Sequence, residues 1–279
     1  MNGVFLLTVG LMATVDARVA SKDGVTIRYH AQGRGEPAVV FVHCWTCDRR
    51  FWDLQLPRIA RTRQVVALDL AGHGESDGER ERWTIEAFGD DVVAVVDALK
   101  LRRVVLVGHS MGGHVSLAAA RRLGERLAGF VPVDTLLDVE ERMSSEKIEE
   151  FLAPFEADYP KAAEGFVRTY MFAPSSPQAV IQKVVARARA APKQMAIAAI
   201  RETWSYDAAR DFDAIRAPIH AINGERYPTN LEANRRHAPQ FQVTLMPGVG
   251  HYPMLEAPER FGEILESTIA ALLAAAPRR

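Results

Sequence analysis

The sequence predicts an α/β protein with a mostly parallel central sheet, helices on both of its faces and an inserted helical segment. Three observations carry this. Continuous apolar, β-branched runs recur at "AVVFVH", "QVVALDL", "RVVLVG" and "LAGFVPVD", as strands buried on both faces require. Between the second and third of them "TIEAFGDDVVAVVDALK" places apolar residues at helical spacing, so strands and helices alternate. From about Leu136 to Ile215 the alternation stops, and the chain is helix-rich with a "PSSP" break.

The elements follow in order. "VTIRYHAQG" alternates and runs into the turn "GRGEP", which marks a hairpin strand. The four buried strands and their helix come next. After the helical insertion, "APIHAINGE" and "QFQVTLMPG" restore the strand pattern, and "PERFGEILESTIAALLAAA" closes the chain as an amphipathic helix. Residues 1–135 and 216–279 are therefore assigned to one core, and 136–215 to an inserted helical cap. A chain of 279 residues can hold both.

At the N-terminus "VFLLTVGLMA" has signal-peptide length, and "VDA" after it resembles a cleavage site. No Lys or Arg precedes the run, and it is too short to span a bilayer. Residues 1–17 thus read either as an export signal or as a first edge strand, which leaves cytoplasmic and exported locations both open. No other segment looks transmembrane. The net charge is −1, with both signs mixed along the chain. No basic stripe suggests nucleic acid, and a small neutral molecule suits this balance best.

The only cysteines, Cys44 and Cys47, stand in "HCWTCDRR". No second Cys/His cluster completes a metal site, and the setting is not that of a thioredoxin-like redox motif. Two unpaired thiols are expected, with a local disulfide as the alternative.

Ser110 lies in "VVLVGHSMGGHVSLAAA", between a buried strand and a helix. Gly-x-Ser-x-Gly in that setting makes a sharp nucleophile elbow, whose flanking Gly108 and Gly112 admit close backbone approach. The helix that follows directs free N–H groups and the positive end of its dipole towards charge developing at the serine oxygen. A serine hydroxyl needs a base. Of eight histidines, His251 in "GVGHYPMLEAPERF" sits past the last strand, at the sheet edge that carries the Ser110 elbow. His73, in a turn-rich loop, is assigned a structural role, His109 a local packing role, and His43 the shaping of the loop after its strand. Two N–H donors are needed for an oxyanion. Met111, after the nucleophile, supplies one, and Trp45, in the loop after "AVVFVH", the other.

Taken in order, "VHCWTCDRRFWDLQ", "VVALDLAGHGESD", "LVGHSMGG" and "GVGHYPMLEAPERF" resemble the α/β-hydrolase family over nearly the whole chain outside the insertion. The resemblance implies the α/β-hydrolase fold, an esterase-like enzyme without cofactor or metal, and a lid role for the insertion. Two departures stand out. Cys44 occupies a position where the family usually has glycine. Where many members carry the triad acid, three residues after a glycine, this chain has Tyr227, which cannot orient a histidine as a carboxylate does. Asp134, ending "FVPVD", is the preferred substitute and Glu225 the alternative, with Asp138 less well placed.

The resulting expectation is a serine hydrolase of carboxylic esters with small to medium neutral acyl groups, working through an acyl-enzyme. Ser110, His251 and Asp134 (or Glu225) form its triad, and Trp45 and Met111 its oxyanion hole. Expected pocket walls are Trp45, Met111, Leu137, Phe151, Phe155, Met171, Phe172, Trp204 and Tyr252. The same triad also serves lactonases, carbon–carbon bond hydrolases and perhydrolases, and a ligand-binding receptor on the same fold is the non-enzymatic alternative.

Overall fold

The computed structural model describes residues 14–275. One eight-stranded sheet runs through it. Its strands are β1 (Thr14–Ala20), β2 (Thr26–Gln32), β3 (Ala38–Val42), β4 (Val65–Leu68), β5 (Val104–His109), β6 (Leu127–Val133), β7 (Ile219–Gly224) and β8 (Phe241–Met246). Their spatial order is β1-β2-β4-β3-β5-β6-β7-β8. β1 and β2 form an antiparallel hairpin, and β2 joins β4 antiparallel. Every later pairing is parallel. β3, β4, β5 and β6 are buried along their whole length, which is why they read as unbroken apolar runs.

The strand order locates the site. From β3 the chain steps outward to β4, then crosses back to place β5 on the other side of β3. The strand order therefore reverses between β3 and β5, and the loops leaving their carboxyl ends diverge around a crevice. The β3 loop carries Trp45, and the β5 turn carries Ser110.

The helices are α1 (Leu56–Ile59), α2 (Ile85–Ala98), α3 (Met111–Leu123), α4 (Ser145–Ala157), α5 (Tyr159–Tyr170), α6 (Gln178–Ala190), α7 (Lys193–Ser205), α8 (Ala208–Ala214), α9 (Leu231–His237), α10 (Pro253–Glu256) and α11 (Pro258–Ala275). Ordinary caps start several of them. The Thr84 hydroxyl accepts from the Ala87 N–H at 3.1 Å to open α2, and Asp158 caps α5. Helices α4 to α8 all lie between β6 and β7 in the chain. α4, α5 and α7 share an aromatic cluster, in which Phe151 and Trp204 meet edge-on at 4.1 Å between ring centroids, and α6 packs on α5. α8 instead packs against α3 and α9, and its Phe212 sits fully buried against Phe241 of β8.

The apolar run Val4–Ala13 lies outside the described residues. Among those described, no helix is long and apolar enough to cross a membrane.

Candidate active site

Ser110 sits where β5 becomes α3, with φ 54° and ψ −122°. That conformation is rare for a residue with a side chain and costs of order 1–3 kcal/mol. The surroundings enforce it. The Ser110 N–H donates to the Val133 carbonyl at 3.0 Å, and the Gly113 N–H donates to the Ser110 carbonyl at 2.8 Å. A Cβ on Gly108 would lie 2.3 Å from the Gly112 carbonyl oxygen, and one on Gly112 would lie 2.5 Å from the carbonyl oxygens of Val42 and His43. Only glycine lets the elbow lie this close to the β3 loop. A serine at a helix start ordinarily spends its hydroxyl on a cap, but the Ser110 hydroxyl caps nothing and is left for other chemistry.

Asp134 follows β6 with φ 43°. Its N–H donates to Ile222 at 3.0 Å. One carboxylate oxygen accepts from the Gly224 N–H at 2.7 Å, and the other lies 2.5 Å from His251 Nδ1. With the aspartate ionised, the proton of the pair rests on Nδ1, and Nε2 keeps its lone pair. Gly224 is required here, since a Cβ would meet the Val249 and Gly250 carbonyls at 2.7 Å.

The His251 backbone is held on all sides. Its N–H donates to the Met171 carbonyl at 2.7 Å, which belongs to the segment after α5. Its carbonyl accepts from His109 Nε2 at 2.6 Å. The Glu256 carboxylate accepts from the flanking N–H groups of Gly250 (3.0 Å) and Tyr252 (2.9 Å), and also from the Ser176 hydroxyl. Burial drives the His109 pKa well below its ordinary value, so its ring is a neutral donor that packs 4.8 Å from the His251 ring.

The loop after β3 is fixed by His43. Its Nε2 accepts from the Leu70 N–H at 3.0 Å, so Nδ1 carries the hydrogen and donates it to the Cys44 carbonyl at 2.8 Å. Burial lowers the His43 pKa to about 4 and keeps the ring neutral. In a trans peptide the C=O and the following N–H point oppositely. Holding the Cys44 carbonyl therefore aims the Trp45 N–H away from His43. Among the described residues that N–H takes no backbone acceptor. Met111 is the first residue of α3, so its N–H has no carbonyl one turn back. The Trp45 indole donates to the Ala196 carbonyl of α7 at 2.7 Å. Cys44 and Cys47 are joined in a disulfide, which corrects the expectation of two free thiols.

Ser110, Asp134 and His251 share one cavity of about 440 Å³. Trp45, Met111, Leu137, Phe151, Met171, Trp204 and Tyr252 line it as anticipated. Phe155 does not. It is buried behind the wall, edge-on to Trp45 at 6.1 Å and tilted against Phe151 at 5.2 Å. Phe172 is likewise one layer back, stacked on Tyr252. Met143, Phe166, Tyr170, Ile200, Thr203 and Tyr227 also line the cavity, and the sequence reading missed them. Helical spacing was the available signal, since Phe166 and Tyr170 lie one turn apart on α5, as do Ile200 and Trp204 on α7.

Glu225 is exposed. Arg226 is not its partner, because the guanidinium donates to the Phe172 and Thr169 carbonyls, each at 2.6 Å. Asp138 accepts from Asn230 and from the Glu140 N–H, a loop-fixing role. His73 is buried with Nδ1 on the Ala71 carbonyl, and burial lowers its pKa to about 3.

A mostly parallel sheet that brings Ser110, Asp134 and His251 together on loops at one edge, beneath a helical layer, is the α/β-hydrolase fold. The model of the Alpha/beta hydrolase family matches residues 39–264, and the chain belongs to that family. A dihydrolipoyllysine-residue acetyltransferase component of an acetoin cleaving system from Pseudomonas putida is 39% identical over 98 residues, 35% of this chain and 26% of that protein. This chain thus spans about a quarter of that relative. A pimeloyl-[acyl-carrier protein] methyl ester esterase from Neisseria meningitidis is 25% identical over 81% of this chain and 91% of that protein. Among solved structures, a thermophilic esterase from Thermogutta terrifontis is 27% identical, with a TM-score of 0.81 over 92% of this chain and 99% of that one.

Proposed function

We propose that this protein is a serine hydrolase of carboxylic esters. The observation that carries the proposal is the 2.5 Å contact between His251 Nδ1 and Asp134, within the cavity that Ser110 also lines. Ser110 attacks the ester carbonyl while His251 Nε2 takes its proton. The resulting imidazolium is stabilised by Asp134 and later protonates the leaving alkoxide. The N–H groups of Trp45 and Met111 hold the oxyanion, at the positive end of α3. Water then releases the acid from the acyl-enzyme. Helices α4 to α7 of the 136–215 insertion serve as the cap, with Met143, Phe151, Phe166 and Trp204 turned towards the cavity, while α8 packs on the core. Among the described residues no Lys, Arg or second carboxylate lines the cavity, which favours neutral acyl groups of small to medium size. The esterase activities of similar proteins support the same reading.

Turnover of a panel of p-nitrophenyl esters and lactones tests it. Ser110→Ala should keep the fold and lose almost all activity. A fluorophosphonate should add one group, located on Ser110 by peptide mapping. A label on another residue, or full activity in the variant, refutes the serine mechanism.

A further inference from the structure

The Cys44–Cys47 disulfide has no role in the chemistry above, yet it brackets the peptide that presents the Trp45 N–H. The two Cα atoms are 5.3 Å apart across a three-residue separation, closing a tight turn around Trp45 and Thr46. Inside that turn Thr46 is held at φ 58°, a left-handed conformation that a β-branched residue resists. The Cys47 N–H returns to the Cys44 carbonyl at 3.2 Å, the same oxygen that accepts from His43 at 2.8 Å. The Thr46 hydroxyl donates to the Trp45 carbonyl at 2.7 Å. Of these contacts, the Cys47 N–H to Cys44 carbonyl bond spans the turn and needs the chain to stay closed, while the other two are local. Both cysteines are at most 2% exposed, but Cys44 lines the cavity shared with Ser110 and Met111.

We propose that the disulfide is a positioning element for the oxyanion donor, holding the strained 44–47 turn so that the Trp45 N–H keeps its aim at the developing charge. This rests on the serine-hydrolase reading. With the bond broken, Thr46 can relax towards ordinary φ values, and the Cys44–Trp45 peptide plane gains freedom to rotate. The donor is then loosened rather than removed, because the His43 contact and the Trp45 indole bond to Ala196 remain. The expected loss is about tenfold in kcat, short of the roughly hundredfold or more that follows deletion of an oxyanion donor. KM should barely move, since the ground-state ester does not depend on that donor.

The test uses the whole protein in both redox states. Dithiothreitol cleaves the S–S bond, and its two electrons and two protons give two protein thiols while the reagent closes into its cyclic disulfide. Thiol titration should count none before and two after reduction, and the route in is the cavity wall at Cys44. Reduction should lower kcat about tenfold at constant KM, and weaken a trifluoromethyl ketone, whose Ser110 adduct is an oxyanion, by a similar factor. Reoxidation should restore both. The Cys44→Ala/Cys47→Ala double variant, checked for an unchanged fold by circular dichroism, should match the reduced protein and ignore dithiothreitol. A change in kcat of less than threefold with two thiols titrated overturns the proposal, as does a loss confined to KM. An oxidised protein with no Ser110-dependent turnover overturns the hydrolase reading instead.

Discussion

Asp134 and Glu225 each stand near a strand end in the sequence, and their surroundings separate them. Asp134 has both oxygens engaged, one by the Gly224 N–H and one by His251, and only 7% of it is exposed. Few rotatable bonds part it from the β6 backbone, so little entropy is lost in holding it still. Asp134→Asn should leave the fold in place and lower kcat steeply, by up to about four orders of magnitude. Glu225→Gln, on the surface, should stay within about tenfold. Steady-state kinetics of the two variants decides the assignment, and the reverse ranking moves the acid to Glu225. Ser110 and Asp134 stand at the ends of strands with unbroken apolar runs, and His251 lies in a loop past the weaker, partly exposed β8, so their approach to one sheet edge was legible in the sequence. The disulfide was not, since spacing alone does not say whether two thiols face each other. Nor was Glu256, whose value lies in three contacts that only the folded loop creates.

At the scale of the elements, the helical layer divides its aromatics between two tasks. Phe155 is 3% exposed and packs among Trp45, Phe151 and Tyr159, away from the cavity. Trp204 faces the cavity from α7. Phe155→Ala should cost about 3–5 kcal/mol of stability, seen as a lowered urea midpoint, with acyl-chain preference largely kept. Trp204→Ala should instead enlarge the cavity and shift preference towards longer acyl chains at a smaller stability cost. Equal effects on both properties for both variants would contradict this division. The strands were readable because burial on two faces leaves a continuous apolar signature. Which face of each inserted helix meets the cavity was harder to read, because α4, α5 and α7 bury aromatics against one another as well as towards the site. α8 shows the same ambiguity. It reads as part of the insertion, yet its Phe212 belongs to the core beneath the sheet edge.

Across the whole molecule, three buried neutral histidines tie stability to pH. His43, His73 and His109 are at most 3% exposed, and burial is the main cause of their lowered pKa values. Unfolding returns each to an ordinary value near 6.5, so from about that pH downwards the unfolded chain binds more protons than the folded one. Stability is therefore complete above the unfolded pKa and falls as pH drops through it. His43 and His73 each contribute roughly 1.4 kcal/mol of loss between pH 7.5 and 5.5, and His109 acts in the same direction. Urea midpoints at the two pH values should show it, and His73→Asn should flatten the slope. An unchanged slope in that variant would assign the dependence elsewhere. Carboxylates such as Asp48, lowered to about 2, act only at more acidic pH.

The hydrogen bond from the His251 N–H to the Met171 carbonyl, with the Ser176 hydroxyl on Glu256, bears on how such proteins can be re-engineered. A cap is often imagined as an exchangeable part, so that a new selectivity could be installed by grafting a foreign helical layer onto this sheet. Here the graft boundary cannot be drawn freely. The residues between α5 and α6 brace the His251 loop, and Met171 among them also lines the pocket. A chimera that keeps Met171 to Ser176 and replaces only the helices around them retains that brace. One that replaces the whole 136–215 segment removes it, and on the proposed mechanism the penalty should fall on the proton-transfer step whatever substrate the new pocket admits.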